Sequence, residues 1–232
     1  MTAVARPDRP AADHVYSWVR NGIANGRFRT GEQYSIHQVA EELEISRTPA
    51  REAILRLADL GLVRIDRNRG FSVEPLTVER VRENYESRML LEIPAAAAAA
   101  RDTSHAIVAS LELHLDRMDD YLAEANMDAY REWDRSFHSE ILRTTGNARI
   151  LSLAAQLRDA SVQTWGTLSM RNANFRARSW RQHADIAQAI AAGDAERAGL
   201  TFMQRTARAT GEPVPERFPG ALSSWSHLSD LN

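Results

Sequence analysis

Apolar residues recur at helical spacing along most of this chain, with one short stretch that alternates instead. Val15, Trp18, Val19 and Ile23 fall at i, i+3, i+4 and i+8 and predict a helix over residues 11–24, ended by Asn25-Gly26. Ser35 opens a short second helix with Ile36, Val39, Ala40 and Leu43 inside, and Glu44-Ile45 follows as a tight turn. Ala50, Ala53, Ile54 and Leu57 repeat the pattern in a third helix. It starts within residues 46–49, where Ser and Thr suit a cap and Pro suits the first turn. Leu60-Gly61 stops it, and residues 63–65 and 71–73 read as two short strands around the arginine-rich tip 66–70.

From Thr77 to residue 210 the strand signal disappears. Helices are predicted near 77–101, 104–125, 127–145, 147–170, 174–192 and 194–210, with breaks at Asp102-Thr103, Asn126, Gly146-Asn147, Asn172 and Gly193-Asp194. Pro94 lies inside the first and should kink it, and the alanines at 95–100 suit close helix packing. The expected fold is mainly α. A winged helix-turn-helix with a small β-hairpin wing occupies residues 11–75, and an all-α bundle occupies 77–210, with the boundary near Glu74-Pro75. Residues 1–10 are predicted to be disordered and 211–232 to form a flexible tail.

The chain has 232 residues and no cysteine, which excludes disulfides, thiolate zinc sites and a Cys nucleophile. All 29 basic side chains are arginine, so the lysine of a phosphate loop and a Schiff-base lysine are excluded. No apolar run reaches the ~20 residues of a membrane helix, and Arg6, Asp8, Arg9 and Asp13 leave no apolar core for a secretory signal. A cytoplasmic protein is expected. The net charge of −2 does not advertise nucleic-acid binding, but residues 46–70 hold Arg47, Arg51, Arg56, Arg64, Arg67 and Arg69 against only Glu52, Asp59 and Asp66. On charge alone, a solvated helix face explains such an island better than a DNA-reading surface does.

The order of elements decides between those readings. In a winged helix-turn-helix the N-terminus of the third helix enters the major groove. Arg47 and Arg51, one turn apart, share the face opposite the buried stripe and suit guanine or phosphate. Ser46 and Thr48 bring short hydroxyls to the same helix start, where backbone N–H groups also favour phosphate. Arg67 and Arg69 at the hairpin tip suit the adjacent minor groove, with Gly70 permitting close backbone approach.

The run Ser46-Arg47-Thr48-Pro49-Ala50-Arg51-Glu52-Ala53, preceded by Gly26 and Thr30-Gly31 and followed by Leu60-Gly61-Leu62-Val63 and Arg69-Gly70-Phe71, resembles the N-terminal domain of the GntR family of bacterial transcription regulators. The resemblance implies operator contacts from Arg47, Thr48 and Arg51 and a minor-groove wing at Arg69-Gly70. A position that is often arginine in that family is His37 here, which either contacts a phosphate or faces water. The helical half resembles the FadR-type (FCD) effector domain of the same family. Arg88-x-x-Leu91-Glu92, Asp134-x-x-Phe137-His138, Gly146-Asn147 and His183 through Gly193-Asp194 carry that likeness.

In that branch one Asp and three His commonly hold a divalent metal, and Asp134, His138 and His183 match three of the four. Asp134 and His138 are one turn apart, a spacing that suits two ligands of one ion. The fourth position is Arg205, which cannot ligate a metal. Two alternatives follow. Three ligands with water or effector hold zinc or nickel, or Arg205 pairs with an effector carboxylate or with Asp134 in place of the metal. The resemblance places Arg88 near the effector, with Arg205 and His183 as further candidate effector contacts; Arg88 and Arg205 point to a carboxylate, although Arg88 and Glu92 could simply form a salt bridge. The function expected is an effector-responsive regulator, a repressor, that reads a palindromic double-stranded DNA operator as a homodimer. An effector-free architectural protein is the alternative. A metal-dependent helical enzyme is disfavoured, because no hydrolase elbow, His-Glu-x-x-His or phosphate-loop pattern occurs.

Overall fold

The computed structural model describes residues 10–67, 69–102, 105–163 and 173–210, with the backbone alone at 105–106, 173–179 and 203–210. The expectations for the two termini fall outside the described residues, apart from Pro10. The chain divides into two compact units.

The first unit opens with α1 (Ala11–Ala24), capped by the Pro10 carbonyl, which accepts from Asp13 N and His14 N. Strand β1 (Gln33–Tyr34), α2 (Ile36–Glu42), α3 (Arg47–Asp59), β2 (Val63–Asp66) and β3 (Gly70–Val73) follow. The apolar stripes are buried as their spacing requires: Val15, Val19 and Ile23 from α1, Val39 and Ala40 from α2, and Ala50, Ala53, Ile54 and Leu57 from α3 form one core with Leu62, Val63, Phe71 and Val73. Ser35 caps α2, its Oγ accepting from His37 N and Gln38 N. The tight turn after α2 puts Glu44 at φ +54°.

Strands β2 and β3 pair antiparallel, Val63 with Val73 and Asp66 with Gly70. The sheet has three strands rather than two, in the order β1-β3-β2. Strand β1 is only two residues long, too short for an alternating pattern to betray it. It also explains Gly70. That residue sits at φ +101°, and a Cβ there would lie 2.0 Å from the Tyr34 carbonyl oxygen. The close approach that needs glycine is therefore to the protein's own β1. Gly70→Ala is expected to destabilise the unit by about 1–3 kcal/mol from backbone strain alone, before any clash is counted. Urea denaturation of the variant checks this; an unchanged midpoint refutes it.

The first unit also includes residues 159–163, so one boundary near Glu74-Pro75 does not describe it fully. Arg20 lies on the buried side of α1, 4% exposed, and a cation in such a place requires a counter-ion. Asp159 supplies it: its Oδ1 accepts from Arg20 Nη1 at 2.8 Å and its Oδ2 from Tyr16 OH at 2.6 Å. Val162 joins the core, and Gln163 Nε2 donates to the Glu74 carbonyl at 2.9 Å.

The described part of the second unit is helical: α4 (Val78–Arg101), α5 (His105–Ala123), α6 (Met127–Arg143), α7 (Ala148–Ala160), α8 (Ala173–Ala191) and α9 (Ala195–Thr210). Helix α4 runs through Pro94 to Arg101. Its alanines 95, 96, 99 and 100 are buried, and it packs mainly on α9. Small side chains allow such close approach. Helix α4 also meets α6 and α8, and α5 meets the same two helices. The helix expected over 147–170 ends at Ala160, just where the chain passes from one core to the other; residues 164–170 lie outside the described residues. Among the described residues no helix is long and apolar enough to cross a membrane.

Candidate DNA-reading face and buried histidine centre

In the first unit, burying Ala50, Ala53, Ile54 and Leu57 turns the opposite face of α3 outward. Ser46, Arg47, Thr48 and Arg51 are all exposed. Ser46 is the N-cap by backbone conformation, but its side chain makes no capping bond. The wing residues Arg67 and Arg69 are also exposed; Asn68 between them lies outside the described residues.

The six arginines of the basic island are not equivalent. Arg56 pairs with Asp13 at 2.6 Å and lies over the Tyr16 ring. Arg64 pairs with Asp66 at 3.3 Å and Glu74 at 3.8 Å. Among the described residues no carboxylate comes within ion-pair distance of Arg47, Arg51, Arg67 or Arg69. All six are exposed, but Arg56 and Arg64 are paired with acids, which leaves the other four on α3 and the wing to set the local field.

His37 faces water, its side chain 49% exposed, and also meets two neighbouring side chains. Arg47 Nε donates to its Nδ1 at 3.3 Å, and its Nε2 lies 3.1 Å from Glu41 Oε1. An Nδ1 that accepts leaves the ring hydrogen on Nε2, which then donates to Glu41. His37 therefore tethers Arg47 from α2.

The second unit holds a buried polar centre built from four helices. Helix α6 contributes Asp134 and His138 on one face, and α8 contributes His183. His138 and His183 are 1% and 0% exposed. Their Nε2 atoms lie 3.1 Å apart, and His183 Nε2 is 2.8 Å from Asp134 Oδ1. One donor atom from each of the three residues lies within 4.8 Å of the others. Phe137 and Phe202 stand edge-on to these rings at 5.1–5.4 Å and close the centre with apolar surface.

Two observations fit this trio to a divalent cation. The 2.8 and 3.1 Å separations are a little shorter than the about 3.3–3.4 Å between neighbouring donors that share a tetrahedral ion at 2.0–2.1 Å. In addition, His183 Nε2 faces both Asp134 and His138, and a ring nitrogen can donate to the carboxylate or accept from the other imidazole but not both. A cation would give each donor its own bond.

Around the trio lies a buried chain of charge. Arg88 and Glu92, one turn apart on α4, make a forked pair, Nε to Oε1 and Nη2 to Oε2, each 3.2 Å. Burial alone would lower the Arg88 guanidinium, but the Glu92 carboxylate, with Tyr85 and Asp134, holds it above its ordinary value, so it stays charged. The salt-bridge reading of Arg88 and Glu92 is thus correct for the structure as it stands. Glu92 also takes Arg158 from α7: Nε lies 2.7 Å from Oε1, and Arg158 Nη1 lies 3.5 Å from Asp134 Oδ2.

Sequence reasoning missed Arg158. The available signal was its place on the inward stripe of α7, one turn after the fully buried Ala154. Arg205 lies on α9, which also carries Phe202 to His138, but its side chain is outside the described residues.

Comparison with known proteins gives a consistent answer. The family model described as bacterial regulatory proteins, gntR family, matches residues 11–73, and the one described as FCD domain matches residues 83–210. The HTH-type transcriptional repressor RspR of Escherichia coli K12 is 26% identical over 190 residues, covering 82% of this chain and 83% of that protein. A putative GntR transcriptional regulator from Rhodococcus sp. RHA1 superposes with a TM-score of 0.70 at 25% identity, over 88% of this chain and 97% of its own. The fold of E. coli McbR/YncC matches with a TM-score of 0.76 at 19% identity, over 88% and 97% of the two chains. An enzyme reading finds no support among these relatives. An arginine-bearing helix-turn-helix head and a helical FCD domain stand in one chain, and the chain belongs to the GntR family of bacterial transcription regulators.

Proposed function

We propose that this regulator is a repressor that reads a palindromic operator as a homodimer and is released by a small anionic ligand bound in its FCD domain. The single observation that carries the ligand half is the buried Asp134–His138–His183 trio flanked by Arg88 and Arg158. Several kcal/mol of desolvation per buried charge argue against such a cluster in a domain that serves only as a packing body. In the DNA half, Arg47, Thr48 and Arg51, with Ser46 at the helix start, read the major groove, His37 holds Arg47, and Arg67 and Arg69 enter the minor groove beside Gly70. RspR, named a repressor, supports the sign of regulation.

Asp134, His138 and His183 would hold zinc or nickel and leave coordination positions open, and the ion would supply a Lewis-acidic anchor for a carboxylate. Arg88 and Arg205 would bind the same anion by charge-assisted hydrogen bonds. A ligand that distinguishes the two operator-binding states changes affinity by about 5–150-fold.

Metal content by mass spectrometry, on protein purified without a metal-affinity tag, tests the centre. About one equivalent of zinc or nickel is expected, lost in His183→Ala. An empty centre in the wild-type protein would transfer the anion-binding role to Arg88 and Arg205 directly. Operator binding that no small carboxylate weakens would favour the architectural alternative.

A further inference from the structure

We infer that Arg158 is a positioning residue for the histidine–carboxylate centre: it engages Oδ2 of Asp134, so that Oδ1 is the oxygen offered to His183. The inference rests on the metal-binding part of the proposed function and concerns a residue that no motif marks.

The geometry divides the Asp134 carboxylate between two neighbours. Oδ1 lies 2.8 Å from His183 Nε2, on the ligand side. Oδ2 lies 3.5 Å from Arg158 Nη1. A carboxylate free to rotate can offer both oxygens to one ion. One whose second oxygen is engaged by a cation offers only one. Arg158 is itself held, because its Nε lies 2.7 Å from Glu92 Oε1 and Glu92 is gripped in turn by the Arg88 fork. The side chains of Arg158 and Glu92 are 8% and 2% exposed, so water cannot easily replace either contact. The chain Arg88–Glu92–Arg158–Asp134 thus runs from α4 through α7 to α6 and ends at a ligand oxygen. Partners of this kind orient ligating groups and commonly change metal affinity 10–100-fold when removed.

Lysine cannot substitute for Arg158 in this role. A guanidinium presents Nε and Nη1 in one rigid plane and so reaches Glu92 and Asp134 together, whereas an ammonium is a point charge on a flexible stem. Arg158→Lys retains the buried charge and removes the planar group that lies against Glu92 and Asp134 together. A second oxygen from Asp134 would raise the coordination number and favour harder, larger ions over zinc.

Cobalt(II) is the probe, since its visible absorption reports coordination number. The full-length wild-type protein, Arg158→Lys and Arg158→Gln are loaded with cobalt and then titrated with zinc in competition. The expected result is an absorption band for both variants that is shifted and weaker than in the wild type, with zinc bound 10–100-fold less tightly. Arg158→Lys keeps the test decisive if the loss of charge in Arg158→Gln prevents folding. A folded Arg158→Lys with the wild-type spectrum and zinc affinity overturns the role, and a purely structural arginine would give that result together with a lowered Tm. A wild-type protein that takes up no cobalt overturns the metal centre itself, an outcome distinct from unchanged variants.

Discussion

Replacing Arg47 and Arg51 together by alanine is expected to abolish sequence-specific operator binding. Both side chains project from the first two turns of α3, exposed, with no carboxylate in ion-pair range among the described residues. An arginine that reads a guanine edge contributes about 1–3 kcal/mol of discrimination, so the pair together is worth about 2–6 kcal/mol, or about 30-fold to 10⁴-fold in affinity. The loss should fall mainly on the specific site and leave weak non-specific binding in place. Arg67→Ala and Arg69→Ala should behave differently. In the minor groove they meet its negative potential and the flanking phosphates rather than a unique base code, so each substitution reduces the slope of log affinity against log salt by about 1 and weakens all sequences more evenly. Binding to operator and scrambled DNA at several salt concentrations separates the two effects. Equal loss on both DNAs for the Arg47/Arg51 variant would refute base reading by α3. His37→Ala should produce a smaller loss of the Arg47 type, because it releases the Arg47 side chain without removing it.

The second large effect is expected at Asp159→Ala, on stability. Asp159 is 5% exposed and answers the buried Arg20 at 2.8 Å. Removing one partner of a buried ion pair costs about 3–5 kcal/mol, because the other charge stays out of water without its counter-charge. The Tyr16 hydroxyl loses its acceptor in the same step. Against a total stability of about 5–15 kcal/mol, this is a large fraction. Asp159→Asn should cost less, since an amide oxygen can still accept from Tyr16. Denaturant titration of both variants checks the order. A change below about 1 kcal/mol for Asp159→Ala would show that the pair is relaxed by water in solution.

Much of the candidate DNA face is legible in the amino-acid pattern alone. The stripe Ala50, Ala53, Ile54 and Leu57 is a local pattern, and burying it obliges Arg47 and Arg51 to face outward. The wing is legible from alternating residues around an arginine-rich turn. Strand β1 is not, because its two residues become a strand only by pairing with Ser72 and Phe71 from nearly forty positions downstream. Gly70 stands out in the sequence as a point of close backbone approach, and the fold adds the physical demand, the Tyr34 carbonyl at its back. Charge counting marks six basic residues; the folded contacts separate four without an acid in ion-pair range from Arg56 and Arg64, which pair with Asp13 and with Asp66 and Glu74.

The buried centre divides in the same way. Asp134 and His138 share a helix face by spacing alone, and Arg88 and Glu92 can meet by spacing alone, because one turn of helix sets those distances whatever surrounds it. That His183 stands 3.1 Å from His138, or that Arg158 ties Glu92 to Asp134, follows from how α4, α6, α7 and α8 pack. The elements, their order, the family and the two faces that carry arginine are written in the local sequence, since periodicity and turn chemistry act over a few residues. Which charges are answered, which glycine is sterically required, and that Arg158 and Asp159, adjacent in the chain, serve two different cores are settled by packing. Those outcomes depend on contacts between residues far apart in sequence, and a buried charge must find its partner wherever packing happens to place one.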